Sequence, residues 1–277
     1  MQFGVSTHLF HDQRLSRTHL AQIAAHGFEA VEVFATRSHF DYHDAAAIAQ
    51  LGDWLKETGL ALHGIHAPIV ESMAAGDQWG AAISIGVSDN AKRQAAVREM
   101  DAALNIARQI PAGVFVVHLG TPAAQGGENS RTAAFRSVEE ICRLAEPIGV
   151  RVSLEVIPNP ISDAASLVTM IERDLEGLRT GICLDFGHAF LMGDVPDTIE
   201  TVAEHLTTTH VHDNHGKKDD HLVPFAGRIN WDVALMTMQK VGYDGTYLME
   251  LARTGDPEEI LTKAQAARGR FEKLLAY

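Results

Sequence analysis

VSLEVIPNPISDAASLVTMIERDLEGLRTGICLDFGHAFLMGDVPDTIETVAEHLTTTHVHD, residues 152–213, alternates two kinds of pattern. Short β-branched runs at 152–156, 180–185 and 208–213 are separated by Ala/Leu/Glu-rich amphipathic stretches near 163–174 and 197–205. The same alternation continues outward in both directions. Strands are expected at 3–7, 30–34, 61–66, 114–118 and 246–250, and helices near 16–26, 44–58, 88–109, 130–146, 231–240 and 257–275. Glycines stand at helix ends, at Gly27, Gly59, Gly149 and Gly242, where left-handed caps belong. Eight strand–helix units in 277 residues average about 35 residues each, the size of a βα repeat. That count favours one closed (β/α)8 barrel spanning 1–277 over a doubly wound open sheet. The open sheet would carry a Gly-rich phosphate turn after its first strand, and here that strand ends in Ser6-Thr7-His8.

Composition narrows the function classes. Hydrophobic residues are 46% and charged residues 21%, enough to build a large core and to argue against disorder. Asp plus Glu outnumber Lys plus Arg 36 to 23, a formal charge of −13, which disfavours nucleic acid and anionic membranes as partners. Two cysteines, Cys142 and Cys183, imply no disulfide framework. The opening MQFGVSTHLFHDQR has neither the basic start nor the apolar run of a signal peptide. No stretch reaches the roughly 20 apolar residues of a membrane span. A cytoplasmic protein is the expectation.

In such a barrel, inward side chains at the carboxyl ends of the strands do the chemistry. Strand alternation turns Ser153 and Glu155 inward, then Cys183 and Asp185, then His210 and His212; Glu250 ends the last strand at the equivalent point. Glu155, Asp185, His212 and Glu250 are thus separated by about one βα unit each and should meet around one point. Carboxylates with an imidazole suit Zn²⁺, Mn²⁺, Mg²⁺ or Co²⁺, and the absence of thiolate pairs argues against a structural zinc site. His66 and His118 end two earlier strands on the same face. His188 follows Asp185 by three residues, and Asp219 and His221 lie in the polar loop after the seventh strand. Singly, each of these is most simply an ion-paired or hydrogen-bonded strand-end residue; four in register are not.

These residues sit in LEVIPNP (154–160), CLDFGHAFLMGD (183–194), HVHDNHGKKDDHL (210–222) and YLMEL (247–251). The chain resembles the xylose-isomerase-like barrel superfamily, which includes sugar isomerases and epimerases, inosose dehydratases and endonuclease IV. Resemblance to the ketose epimerases implies one divalent metal on Glu155, Asp185, His212 and Glu250. It also implies that the two glutamates exchange substrate protons and that His188 contacts substrate. Resemblance to endonuclease IV implies a wider set: His66, His118, Glu155, Asp185, His188, His212, Asp219, His221 and Glu250, holding up to three zinc ions. Many members read Gly-Glu-Gly before a closing Ile-x-Trp; this chain reads Phe225-Ala226-Gly227-Arg228-Ile229-Asn230-Trp231. The glutamate is missing, and Arg228 becomes a candidate contact for an oxyanion or phosphate.

Three functions are therefore expected in order. The first is a metal-dependent isomerase or epimerase of a small carbohydrate, one glutamate removing a proton beside a polarised carbonyl and the other returning it. The second is a multinuclear-zinc hydrolase of phosphodiesters, and the third a non-catalytic barrel module. One to three metal ions and a homo-oligomer are compatible with the resemblance. His8, Phe34 and Trp79 are candidates for a substrate wall, and 70–90 is long and Gly-rich enough for a lid. Glu32 reads as a strand-end ion pair, with a reach into the pocket from strand two as the alternative, Cys183 as packing under Asp185, and the Met/Leu stripe of 233–241 as core.

Overall fold

The computed structural model describes residues 1–74, 78–123 and 129–276. Eight parallel strands form the expected closed barrel: β1 (Gln2–Ser6), β2 (Ala30–Phe34), β3 (Ala61–His66), β4 (Val114–Val117), β5 (Arg151–Glu155), β6 (Thr180–Asp185), β7 (Leu206–Val211) and β8 (Thr246–Met249). Each pairs with its neighbour in sequence, and β8 closes on β1. The helices are α1 (Arg17–Ala25), α2 (Ala45–Thr58), α3 (Asn90–Ala103), α4 (Asn105–Gln109), α5 (Arg131–Ala145), α6 (Ala164–Arg173), α7 (Phe186–Met192), α8 (Val195–Val202), α9 (Trp231–Lys240) and α10 (Pro257–Leu275). No helix among the described residues is long and apolar enough to cross a membrane.

Alternation along the strands separates two environments. Phe3, Val5, Val31, Val33, Phe115, Val152, Leu154, Ile182 and Leu184 join the helix side chains in one apolar cluster. Glu32, Ser153, Cys183, Thr208 and His210 are equally buried but lie outside that cluster. The barrel interior is therefore polar at mid-height, unlike the branched apolar layers usual in this fold.

Three elements differ from the sequence reading. The helix expected over 88–109 is broken at Leu104, and Arg108 takes the carbonyl of Asp101 (2.9 Å) beside the break. The helix expected near 197–205 runs Val195–Val202 and continues as a 3-10 turn over Ala203–His205, and a further helix, α7, begins directly after β6. Asp185 caps α7, its Oδ1 accepting from the N–H of His188 at 2.7 Å. The long 70–90 segment pairs with itself: Val70 bridges Ala82, and Met73–Ala74 runs antiparallel to Gln78–Trp79. Its residues 75–77 lie outside the described ones. The glycine reading holds, with φ of +79°, +73°, +73° and +77° at Gly27, Gly59, Gly149 and Gly242.

Candidate metal centre

At the carboxyl end of the barrel, Glu155 ends β5, Asp185 ends β6, and Glu250 follows β8 by one residue. With His210 they form a buried group whose donor atoms lie within 4.8 Å of one another. Glu155 is the hub. Its Oε2 lies 3.0 Å from His118 Nε2, 3.3 Å from His66 Nε2 and 3.4 Å from His210 Nδ1, while Oε1 lies 3.4 Å from His188 Nδ1. Burial opposes the charge on Glu155, but His118 and His210 hold its carboxyl well below the usual range. Burial likewise works against Asp185, and His188 and His212 outweigh it.

A second tier stands above this group. His188 Nδ1 lies 3.0 Å from the carbonyl of Val156, and its Nε2 lies 3.0 Å from Asp219 Oδ2. His221 Nε2 lies 2.9 Å from the same Asp219 oxygen, with its Nδ1 on the carbonyl of Glu250. Burial disfavours both imidazolium ions. Asp185 and Asp219 nevertheless raise His188 well above its ordinary value, and Asp219 raises His221 to about 10. His212 joins the tiers, Nε2 at 3.0 Å from Asp185 Oδ2 and its ring stacked 4.0 Å from that of His221. Such contact requires glycine at 187, because a Cβ there would stand 2.0 Å from the His212 ring.

All nine residues named from the resemblance thus converge on one end of the barrel, in contact with at least one other of the set. The sequence reading turned His210 inward but left it out of the ligand set; it pairs with Asp185 in the β6–β7 register. The ion pair read for Glu32 is present, Oε2 lying 3.2 Å from His210 Nε2, but at mid-strand and fully buried. His8 lines the pocket, its Nδ1 3.0 Å from the carbonyl of Leu251. Burial and then His221 lower it well below the usual histidine value, so it stays neutral. Phe34 and Trp79 also line this cavity of about 100 Å³. Arg228 does not: its side chain is exposed, outside the cavity lining.

The donor set suits a hard or borderline divalent cation. Three carboxylates and several imidazoles converge, and the Nδ1 atoms of His210 and His212 are buried without a hydrogen-bond partner among the described residues. Unpartnered buried nitrogens facing carboxylates are what a cation would pull into place.

The upper tier depends on Asp213, a residue with no ligand role. It is fully buried; Oδ1 accepts from the N–H groups of Asn214 (2.9 Å) and Ile229 (3.1 Å), and Oδ2 from Phe225 N–H (3.0 Å) and Trp231 Nε1 (2.9 Å). This carboxylate ties down both ends of the loop that carries Asp219 and His221. Gly227 is obligatory beside it, since a Cβ would stand 2.3 Å from Oδ1. Asp213→Ala orphans four donors together. Hydrogen bonds to a charged group contribute roughly 1.5–3 kcal/mol each, so a loss of at least about 3 kcal/mol is expected in urea unfolding. Wild-type stability in that variant would remove the proposed brace.

Residues 20–270 match the family described as xylose isomerase-like TIM barrel, and the chain belongs to it. An uncharacterised protein of Methanocaldococcus jannaschii is 27% identical over 260 residues, covering 90% of this chain and 83% of that protein. A solved D-tagatose 3-epimerase-like protein superposes with a TM-score of 0.80 at 23% identity, covering 100% of this chain and 98% of the other. A solved IOLI protein with a bound zinc atom gives 0.77 at 16% identity, over 100% and 98% of the two chains. At these identities the solved structures speak for the fold.

Proposed function

We propose that this member of the xylose isomerase-like TIM barrel family is a divalent-metal-dependent isomerase or epimerase of a small polyhydroxylated carbonyl compound. The observation that carries the reading is the pair Glu155 and Glu250, both buried at one cavity floor, sharing a four-residue donor group with Asp185 and His210. The named similarities to an epimerase-like and a zinc-binding protein agree with it. Glu155, Asp185 and Glu250 would hold the cation, with His210 in the place the sequence reading gave to His212. When bound, it supplies Lewis acidity that polarises a substrate carbonyl and loosens the proton on the adjacent carbon.

The chain's own groups do the rest. One of the two glutamates takes that proton and the other returns one, from the opposite side of the substrate for epimerisation. His118, His210 and His188 keep Glu155 ionised and able to accept. His188 is oriented by the Val156 carbonyl so that Nε2 meets Asp219 at the cavity rim, where a substrate hydroxyl can exchange with it. Neutral His8, pinned by Leu251, offers its other nitrogen to the same cavity. Ile69, Val70, Trp79 and Ile83 wall the cavity with apolar surface and keep water from the transferred proton.

A second reading, the phosphodiester hydrolase with several zinc ions, is favoured by two further groupings: His66–His118–Glu155, and His188–Asp219–His221. The cavity of about 100 Å³ and the −13 net charge suit a small neutral sugar better than a nucleic acid. Incubation of the metal-loaded protein with a panel of ketoses and aldoses in deuterated water should place deuterium on the carbon beside the carbonyl. Glu250→Gln should lower that rate by about 10²–10⁴-fold. Absence of exchange with every sugar, together with metal-dependent cleavage of an abasic-site oligonucleotide, would transfer the assignment to the hydrolase.

A further inference from the structure

A second, larger cavity of about 890 Å³ adjoins the one at the metal centre. Ala82, Ile83 and Thr121 line both, so one partition divides them. That partition is pinned. Ile83 N–H donates to the Ile69 carbonyl at 2.9 Å, Glu71 N–H to that of Ala81 at 2.9 Å, and Gly80 N–H to that of Ser72 at 2.8 Å. The inner cavity, at about 100 Å³, is smaller than the roughly 300–1,000 Å³ of a pocket that encloses a small ligand; the outer one supplies the difference.

The outer chamber has a charge of its own. Arg37 lines it from the loop after β2, and Lys92 and Arg98 line it from α3, in the company of Glu71 and Glu99. Glu99 is already engaged, its Oε2 accepting from Tyr42 OH at 2.8 Å and lying 3.0 Å from His43 Nε2. Arg37 Nε stands 3.8 Å from Asp41 Oδ1. The side chains of Lys92 and Arg98 have no hydrogen bond or ion pair among the described residues. Lys92, Ala95, Ala96 and Glu99 fall at i, i+3, i+4 and i+7, one face of α3, and the two alanines leave space for a ligand there. Carboxylates outnumber cations 36 to 23 over the whole chain, yet in this chamber the cations prevail. Unpaired cations facing a cavity in so acidic a chain are not left over for want of partners.

We propose that the outer chamber receives a remote anionic group of the substrate, a phosphate ester or a terminal carboxylate, while the carbonyl end enters the inner cavity. The inference rests on the isomerase or epimerase reading above and narrows its substrate class. Lys92 and Arg98 contact the anion, the guanidinium fork matching two oxygens of either group, and Arg37 adds charge. They take the part that the sequence reading offered to Arg228. Contacts away from the reacting carbon supply binding energy that holds the carbonyl end over Glu155 and Glu250. No side chain of the chamber is asked to touch the reacting atoms.

The test uses the full chain and reads binding as well as turnover. D-Fructose, D-tagatose and D-glucose, each beside its 6-phosphate and its 6-carboxylate, are matched probes for calorimetric titration of the metal-loaded protein. One charged series should bind at least about tenfold tighter than the neutral sugars, and the series that does so identifies the anion. Arg98→Ala and Lys92→Ala should each remove about tenfold of that preference, the low end for a hydrogen bond to an ion, and Arg98→Glu more. Because both residues are exposed, the preference should also shrink as salt rises. Their exposure on α3 also favours folded variants, which circular dichroism checks. Equal affinity within every matched set overturns the proposal. So does a preference that all three variants keep, since the anion would then be held by the inner cation. Charged sugars that bind with this Arg98 dependence yet exchange no deuterium would remove the isomerase reading and leave an anion site. Neutral sugars that exchange with the same kcat/KM as their charged partners would keep that reading and remove the chamber.

Discussion

Glu155→Gln is expected to be the most damaging single conservative change, lowering exchange and turnover by about 10²–10⁴-fold and stripping most of the metal from the purified protein. The reason is its number of dependents. Four imidazoles, those of His66, His118, His188 and His210, approach one carboxylate within 3.4 Å. An amide carries no charge to hold them, and its NH₂ faces nitrogens that also donate. Glu250 has fewer such neighbours, His210 and His221 at 3.4 and 3.7 Å, so Glu250→Gln should lose activity while keeping more metal. Metal analysis and turnover on the two purified variants check this ordering. Glu155→Gln with full metal occupancy and activity within about tenfold of wild type would remove Glu155 from the proposed chemistry.

Much of the site was legible because strand periodicity reports direction. The inward face of β5, β6 and β7 follows from two-residue alternation, and Glu155, Asp185, His210 and His212 all point inward as that rule requires. Depth is another matter. Barrel strands are staggered by shear, and the β6–β7 register also skips Thr207, so that Asp185 is opposite His210, two residues short of His212. No single-strand pattern carries that offset, which is why His210 was read as inward but left out of the ligand set while His212 was placed with the carboxylates. Glu32 was read as a strand-end ion pair, and the pair is present, with His210, but at mid-strand. In Val31-Glu32-Val33 the alternation shows a polar residue on the inner face, but the bulge that sinks it beneath the site is a property of two strands together. Helix α7 was hidden by its own content. Gly187 reads as a breaker, yet it is there to admit the His212 ring, with Asp185 serving at once as strand end, helix cap and carboxylate of the site. Asp213 gave no signal at all, since its four donors come from residues 1 to 18 positions away.

Metal binding should release protons at pH 7, and the metal should matter more to stability as pH rises. In the metal-free protein, His188 and His210 are held well above their ordinary value, and His221 is raised to about 10. Burial alone would have lowered all three; the surrounding carboxylates, preceded by Cys183 at His210, reverse it. A raised folded-state value stabilises below the unfolded value of about 6.5 and is lost as pH climbs through the folded one. Glu155, Asp185 and Asp219 are shifted down by their imidazole neighbours against the cost of burial, so their contribution is present above about pH 4 and lost on acidification. The metal-free barrel should therefore melt highest between about pH 4.5 and 6.5 and lose Tm steadily toward pH 10. A ligating imidazole must be unprotonated, so His210, raised in the metal-free protein and placed in the donor group, sheds a proton when the cation binds, as would His188 and His221 if further ions occupied their positions. Affinity should then rise about tenfold per pH unit for each proton released. The Tm difference between metal-loaded and metal-free protein should widen from pH 6 to pH 9 as one state loses its imidazolium–carboxylate pairs and the other gains affinity. Calorimetric titration in two buffers of different ionisation enthalpy counts the protons, and paired melting curves measure the gap. A gap that stays constant across that range, with no buffer dependence of the binding heat, would mean that these histidines are not exchanging protons for metal.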